Sequence, residues 1–422
     1  MKRRWGAVVA IASALALGAC REAEPPAPRE AEKPLLVGHE DNLLSLVRGA
    51  VVTHRTGEAL LRASAAMAID GDPLTYWATP PDDLEETMVV ALPGPAEIRR
   101  IGISTGALRP ATAAGIVRFD ASTDGTTFVS LGEVHVEEKG ETWIDVTPTR
   151  AVFVRATTIA PFRDGARSVR VADILAAGTN TDSVSRPAIE GFWEINGMAA
   201  HFRSEGSTVR GLVAEREPMA LDGAWQGRVI RLAWTRGAER GVAALGVDAA
   251  SSHLNGVLWH VRSHRPFFWT TWFGQWTPGG DAPSGTPTDP MRAFLDAEGR
   301  YPLYALEFDG PRLRPGSEPA VERLAALIGE NAPQRFRFVA YHAGMKSADE
   351  DMRLTEARLG ALRDALRKAG ADPGRAAFVP RGRAALVNAD ADELPWAPLH
   401  VLLNNRIDLE LVRESRPDGG SS

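Results

Sequence analysis

The sequence predicts a multidomain chain: a β-sandwich, then an antiparallel β meander or small barrel, then an α/β sandwich. Three observations carry this reading. From Val37 to Gly178 apolar residues alternate with polar or small ones, and no helical period intervenes. From Pro187 to about Thr277, strand-length runs separated by turn residues hold seven of the chain's 11 tryptophans. From Arg300 to about Val412 strands alternate with stretches whose apolar residues fall at i, i+3, i+4 and i+7. With 422 residues the chain exceeds one ordinary domain, and 44% hydrophobic residues are enough to build several cores.

The N-terminus comes before these folds. Met1-Lys2-Arg3-Arg4 is basic, Ala7 to Leu17 is apolar, and Leu17-Gly18-Ala19 leads into Cys20, the only cysteine in the chain. The apolar run is shorter than the ~20 residues a spanning helix needs. An ordinary secretory signal that happens to contain a cysteine is one reading. The pattern also resembles the lipobox of bacterial lipoproteins. That resemblance implies removal of residues 1–19 as a signal peptide, acylation of Cys20 (palmitate among the chains), and the lipid bilayer as a first partner. Arg21 is not the aspartate that such lipoproteins use for inner-membrane retention, so the implied location is the outer membrane, facing the periplasm or the surface. Residues 20–36 form the tether: four prolines, alternating charge and no large apolar side chain from Arg21 to Pro34 cannot make a core. Loss of Lys2, Arg3 and Arg4 lowers the net charge from −6 to −9, which argues against nucleic acid as a partner. With Cys20 lipidated no disulfide can form within the chain, so each fold relies on its core.

In block 37–178, Ile101 with Ile103, Val117 with Phe119, and Val152 with Val154 show the alternation of half-buried strands. Ser122-Thr123-Asp124-Gly125 reads as a turn between two of them. Ala66-Met67-Ala68-Ile69-Asp70-Gly71-Asp72-Pro73-Leu74-Thr75-Tyr76-Trp77 resembles the signature of discoidin-like domains, the coagulation-factor type C group that includes many carbohydrate-binding modules. Val117–Gly125, Ala151–Arg155 and Val171–Ile174 follow in that family's order. The resemblance implies a jelly-roll sandwich with ligand-binding loops, a glycan or an envelope protein as partner, and a structural calcium. Asp70, Asp72, Thr75 and Asp173 are its candidate ligands, hard oxygen donors suited to that ion. The alternative is that Asp70-Gly71-Asp72 is only a turn. Trp77 is expected in the core, and Trp143 and His135 are candidate sugar contacts, with burial also expected for Trp143.

In block 187–277, Val229–Trp234 and Val242–Val247 are strand-length, and glycines recur between the tryptophans. Trp193, Trp225, Trp234 and Trp259 read as core, whereas Trp269, Trp272 and Trp276 lie close enough together to form an exposed patch. His260 and His264 have a spacing that suits zinc on a helix, but the region reads as strand.

Residues 278–299 read as a Pro/Gly-rich linker, and 300–412 as β-α-β-α-β. Tyr304–Phe308 is the first expected strand, and Ser317 caps a helix carrying Val321, Leu324, Ala325 and Ile328 inward. Arg335–Ala340 is a strand, and Asp349–Ala369 a helix with Leu359, Leu362 and Leu366 inward. Strands near Ala377–Val379 and Ile407–Leu409 follow. Tyr341-His342, Asp351-Met352-Arg353-Leu354-Thr355-Glu356-Ala357-Arg358 and Asn404-Asn405-Arg406-Ile407-Asp408 resemble the motifs of the OmpA C-terminal-like domain of peptidoglycan-associated lipoproteins. The resemblance implies peptidoglycan as a partner, contacted by Asp351, Leu354, Arg358 and Arg406. The family's clamp joins a loop aspartate to a helix arginine. Arg358 stands at the arginine position, but Gly344 replaces the aspartate, so the anionic half of the clamp is missing unless Asp349 or Asp351 moves in; the two readings are a wall-peptide site with altered contacts and a degenerate fold used for protein contacts.

The sequence lacks a nucleophile elbow, a P-loop, a zinc-protease motif and a dinucleotide fingerprint. The reading is therefore a non-enzymatic envelope lipoprotein. A glycan hydrolase or esterase with its active site in the tryptophan-rich block is the alternative.

Overall fold

The computed structural model describes residues 42–412 except 61–62, 138–139, 182–184, 263–264, 281–282, 284–287, 331–334, 345 and 384–397, with backbone alone at 110, 262 and 265–270. Cys20, its leader and the tether lie outside the described residues.

The sandwich contains β1 (Val51–Arg55), β2 (Trp77–Ala78), β3 (Thr87–Ser104), β4 (Ala114–Ser122), β5 (Val129–His135), β6 (Glu141–Pro161), β7 (Arg170–Val171) and β8 (Asp173–Asn180). Six strands form one sheet in the order β1-β3-β6-β4-β5 with β8 also on β3, while β2 pairs with β7. The register of β3 against β6 slips between Ala91 and Ala96 and again between Ile98 and Arg100. Bulges bend a strand and increase its twist. The early part of β3 therefore serves β1 and the later part serves β8, and the sheet wraps around Met67, Trp77, Ile98, Phe119, Val154 and Ile174.

The middle block is an eight-stranded antiparallel barrel closed on itself. Its strands are β9 (Gly191–Ile195), β10 (Met198–Glu205), β11 (Thr208–Val213), β12 (Met219–Gln226), β13 (Val229–Arg236), β14 (Glu239–Val247), β15 (His253–Arg262) and β16 (Arg265–Trp276). Each pairs with the next, and β16 returns to β9 through Gly274↔Ile195 and Trp276↔Trp193. Inward side chains fill the interior, among them Trp193, Phe202, Trp225, Leu232, Trp234 and Trp272. Eight strands give a bore that side chains can fill. Part of the glycine rhythm follows from that packing. Gly241 lies opposite Trp234, and a Cβ there would meet the indole at 2.5 Å and the Trp259 carbonyl at 1.8 Å.

The C-terminal block has α1 (Pro290–Glu298), β17 (Arg300–Pro302), β18 (Phe308–Asp309), β19 (Arg312–Leu313), α2 (Glu318–Glu330), β20 (Arg335–Tyr341), α3 (Ala348–Lys368), β21 (Ala376–Gly382), α4 (Pro398–Asn404) and β22 (Arg406–Val412). Its mixed sheet runs β17-β22-β20-β21, with β20 and β21 parallel. The two long helices and the last strand match the sequence reading, but three details differ. The segment read as linker contains α1, whose Asp289 carboxylate accepts the amides of Met291 and Arg292 and whose Gly299 ends it in the left-handed region. The strand expected over Tyr304–Phe308 survives only at Phe308–Asp309, and β17 takes its place in the sheet. Ser317 turns its hydroxyl to the backbone amide of Glu307 (3.1 Å) rather than to the first turn of α2.

The polar breaks do not divide the core. The outward residues Val229, Val242, Ala244, Val257 and Trp259 of the barrel join the sandwich core together with Leu399 and Leu403 of α4. Ala233 joins the C-terminal core. The strands β12, β13 and β14 are thus buried on both faces over most of their length.

Candidate functional site

Asp70-Gly71-Asp72 forms a tight turn that brings oxygens together. Gly71 takes φ +74°, and its amide donates to Asp173 Oδ1 at 3.0 Å. Around Thr75 Oγ1 lie Asp70 Oδ1 (2.9 Å), Asp70 Oδ2 (3.0 Å), the Asp72 carbonyl (2.9 Å) and the Met67 carbonyl (3.4 Å). The hydroxyl has one proton to donate among these oxygens, while Asp70 Oδ1 also accepts the Asp72 amide (2.8 Å) and the Asp72 carbonyl the Thr75 amide (3.1 Å). Asp173 Oδ2 is buried and takes no hydrogen bond among the described residues. Burial, reinforced by neighbouring acids, holds the Asp70 and Asp173 carboxyls well above the usual carboxylate range. Among the described residues no three His, Cys, Asp or Glu side chains converge to hold a metal unaided. Two carboxylates, a hydroxyl and backbone carbonyls are instead the mixed oxygen set that a calcium ion takes. The residues therefore fit a calcium held by Asp70, Thr75 and Asp173. Asp72 is turned elsewhere, with Oδ2 at 3.4 Å from Nε2 of His400 on α4.

A second cluster lies where β2, β7 and two loops meet. Ala78 pairs with Arg170, Arg170 bridges to Ala113, and the Phe162 amide donates to the Ala113 carbonyl at 3.0 Å. The Arg170 guanidinium stands 4.5 Å from the centroid of half-buried Tyr76, and Arg163 6.0 Å from that of Phe162. Arg167 donates to both carboxylate oxygens of Asp82, tying the 162–169 loop to the 79–83 loop. Sequence reasoning missed this group, because Arg170 lies far along the chain from Tyr76 and outside the motif that contains it. Of the residues it named instead, His135 is exposed on β5. Trp143 is half-exposed rather than buried, its indole donating to Glu141 (2.9 Å) beneath Arg100. Trp77 is in the core, as expected, with its indole on the Gly57 carbonyl.

In the C-terminal block, Asp351 is fully buried, accepting from His342 Nδ1 at 2.6 Å and pairing with Arg383. Burial holds the His342 imidazole below its ordinary value. Arg406 is also engaged, forming a two-pronged pair with Asp408 (2.8 and 3.2 Å) and donating to Asn404. The carboxylate of Asp351 is therefore not on offer to a zwitterionic ligand, and neither is the guanidinium of Arg406. Asp351 is held by Arg383, 32 residues away and outside the motif, and Arg406 by Asp408 within its own motif. Leu354 is half-buried. Arg358 rests over Phe308 with Nε on the Gly310 carbonyl (2.9 Å), and burial lowers it to about 10. Its terminal amino groups take no hydrogen bond among the described residues.

Trp193, Trp225, Trp234 and Trp259 are all buried, the last on the outside of the barrel against the sandwich and His400. The expected exposed tryptophan patch is corrected: Trp272 is 2% exposed inside the barrel and Trp276 is 44% exposed. The side chain of Trp269 lies outside the described residues, as does His264. His260 packs edge-on against Trp234.

No protein-family profile matches the chain. No curated protein matches it either. Among solved structures, the N-terminal third resembles family 32 carbohydrate-binding modules, which are discoidin-like. One is the third such module of a Clostridium perfringens family 31 glycoside hydrolase, at 19% identity and TM-score 0.31, covering 34% of this chain and 97% of that one. Another is the module of Streptococcus pneumoniae EndoD, at 13% identity and TM-score 0.29, covering 33% and 99%. A third, from Clostridium perfringens NanJ, was solved in complex with galactose, at 19% identity and TM-score 0.27, covering 30% and 93%.

Proposed function

We propose that this chain is a glycan-binding lipoprotein of the bacterial envelope, anchored in the outer membrane through Cys20, with the sandwich as its glycan-binding domain. One observation carries the glycan reading: the Arg170 guanidinium stands over half-buried Tyr76 of the motif that resembles the discoidin signature, and the backbone of Ala113 links Arg170 to Phe162. An aromatic ring takes the apolar face of a sugar, and a guanidinium donates to its hydroxyls. Galactose titrated into the full chain should give saturable binding, and Tyr76→Ala should weaken it at least ten-fold. Equal binding by both proteins removes this cluster from the proposal.

The C-terminal block then faces the wall, with Arg358 as the contact whose amino groups are available. Purified peptidoglycan should pull down the wild-type chain and retain less of Arg358→Ala, while Cys20→Ser should move the chain from the membrane to the soluble fraction. Unchanged retention and unchanged fractionation would remove the wall contact and the anchor respectively. The alternative is a hydrolase in the middle block, where the described interior is lined by apolar side chains such as Trp193, Phe202, Trp234 and Trp272.

A further inference from the structure

The seam between the sandwich and the barrel holds a cleft of about 480 Å³, within the range of small-molecule sites. Its barrel wall is the outer face of the closing strands. His253 lies opposite Gln275 across β15 and β16, and Gln275 opposite Glu194 across β16 and β9. Strands are spaced about 4.8 Å apart, so this row of imidazole, amide and carboxylate spans about 10 Å. His54 and Arg55 of β1 face it from the sandwich.

The walls are held in place by other groups. The Arg55 guanidinium lies 3.5 Å from the Phe273 ring centroid, and its Nε pairs with Glu58 at 3.0 Å. Asn196 braces the floor, donating to the Thr271 carbonyl and accepting the Phe273 amide. Ser252 Oγ and Asp248 Oδ2 both approach His253 Nδ1, at 3.0 and 3.4 Å. Sharing one nitrogen, they cannot act as a serine–histidine–aspartate relay, which needs both ring nitrogens. They orient the ring through Nδ1, and among the described residues Nε2 takes no hydrogen bond. Among the described residues the heads of Gln275, Glu194 and His54 take no hydrogen bond.

We infer that this cleft is a second binding site, for a neutral saccharide of one or two rings. The row mixes donors and acceptors at a pitch suited to a ring of hydroxyls. The charge of Arg55 is already met by Glu58, and Glu194 opposes an acidic sugar. The site is independent of the Tyr76 and Arg170 cluster, with which it shares no residue.

The test uses residues 20–422 with Cys20→Ser, observed by saturation-transfer NMR and calorimetry against lactose, chitobiose and a glucuronate-containing disaccharide. Glu194→Ala/Gln275→Ala alters only exposed heads, and far-UV circular dichroism checks its fold. A neutral disaccharide should bind, the double variant should lose at least ten-fold in affinity for it, and Tyr76→Ala should retain this component. Binding unchanged in the double variant, tighter binding of the glucuronate disaccharide, or no binding of either neutral probe overturns the inference. Loss in Tyr76→Ala alone would place all binding at that cluster and also overturn it.

Discussion

At Thr75, one hydroxyl proton serves four neighbouring oxygens, two from Asp70 and two from backbone carbonyls. Asp173 Oδ2, buried and without a hydrogen bond among the described residues, is the oxygen a cation would satisfy. Millimolar calcium should therefore raise the melting temperature above that of the chelator-treated protein. Saturation at a hundred times Kd corresponds to about 2.7 kcal/mol. Asp173→Asn should abolish the response, and identical melting with and without calcium would refute the site. The acids and the threonine were legible in the sequence because they sit in one short motif with a late partner in order. Asp351 and Arg406 were not legible in the same way, because a motif names a residue type and does not show which neighbour already holds it.

At the scale of elements, packing decided what periodicity left open. Trp272 points into the barrel and Trp276, at the end of the same strand, is 44% exposed. Trp272→Ala should cost about 3–5 kcal/mol, since a large ring leaves a cavity the closed barrel cannot collapse. Trp276→Ala should cost under about 1 kcal/mol, as exposed positions do. Urea midpoints at an unchanged slope measure both, and comparable losses would contradict the placement. The helix α1 illustrates the reverse case. Asp289-Pro290 and Gly299 are ordinary start and stop signals, yet the prolines and glycines before them read as linker. Its apolar face, Met291, Phe294 and Leu295, is short and finds its partners across the chain.

For the whole molecule, Arg231 marks the junction. It is 2% exposed, lies 5.1 Å from the Tyr304 ring centroid, and donates to the carbonyls of Leu402 and Asn405 and to Gln226. Burial lowers it to about 10. Arg231→Ala removes the donor from two half-buried carbonyls and should cost about 1–3 kcal/mol in all. Because the barrel shares apolar cores with both neighbours, tryptophan fluorescence and far-UV circular dichroism should report one coincident unfolding transition. Separate midpoints would show that the seams do not couple the blocks.

The order of folds, the strand runs of the barrel and the two long helices are legible from the chain alone. Each is written in local periodicity or in a short motif. Only the tertiary structure decided that the three blocks share core, that Tyr76 meets Arg170, and that Asp351 and Arg406 are already paired. It also brought His54 and Arg55 opposite Glu194 and Gln275. Apart from the Arg406–Asp408 pair, which is local, these facts depend on residues far apart in the chain, and on strands buried on both faces, where the alternation that marks an outside from an inside is lost.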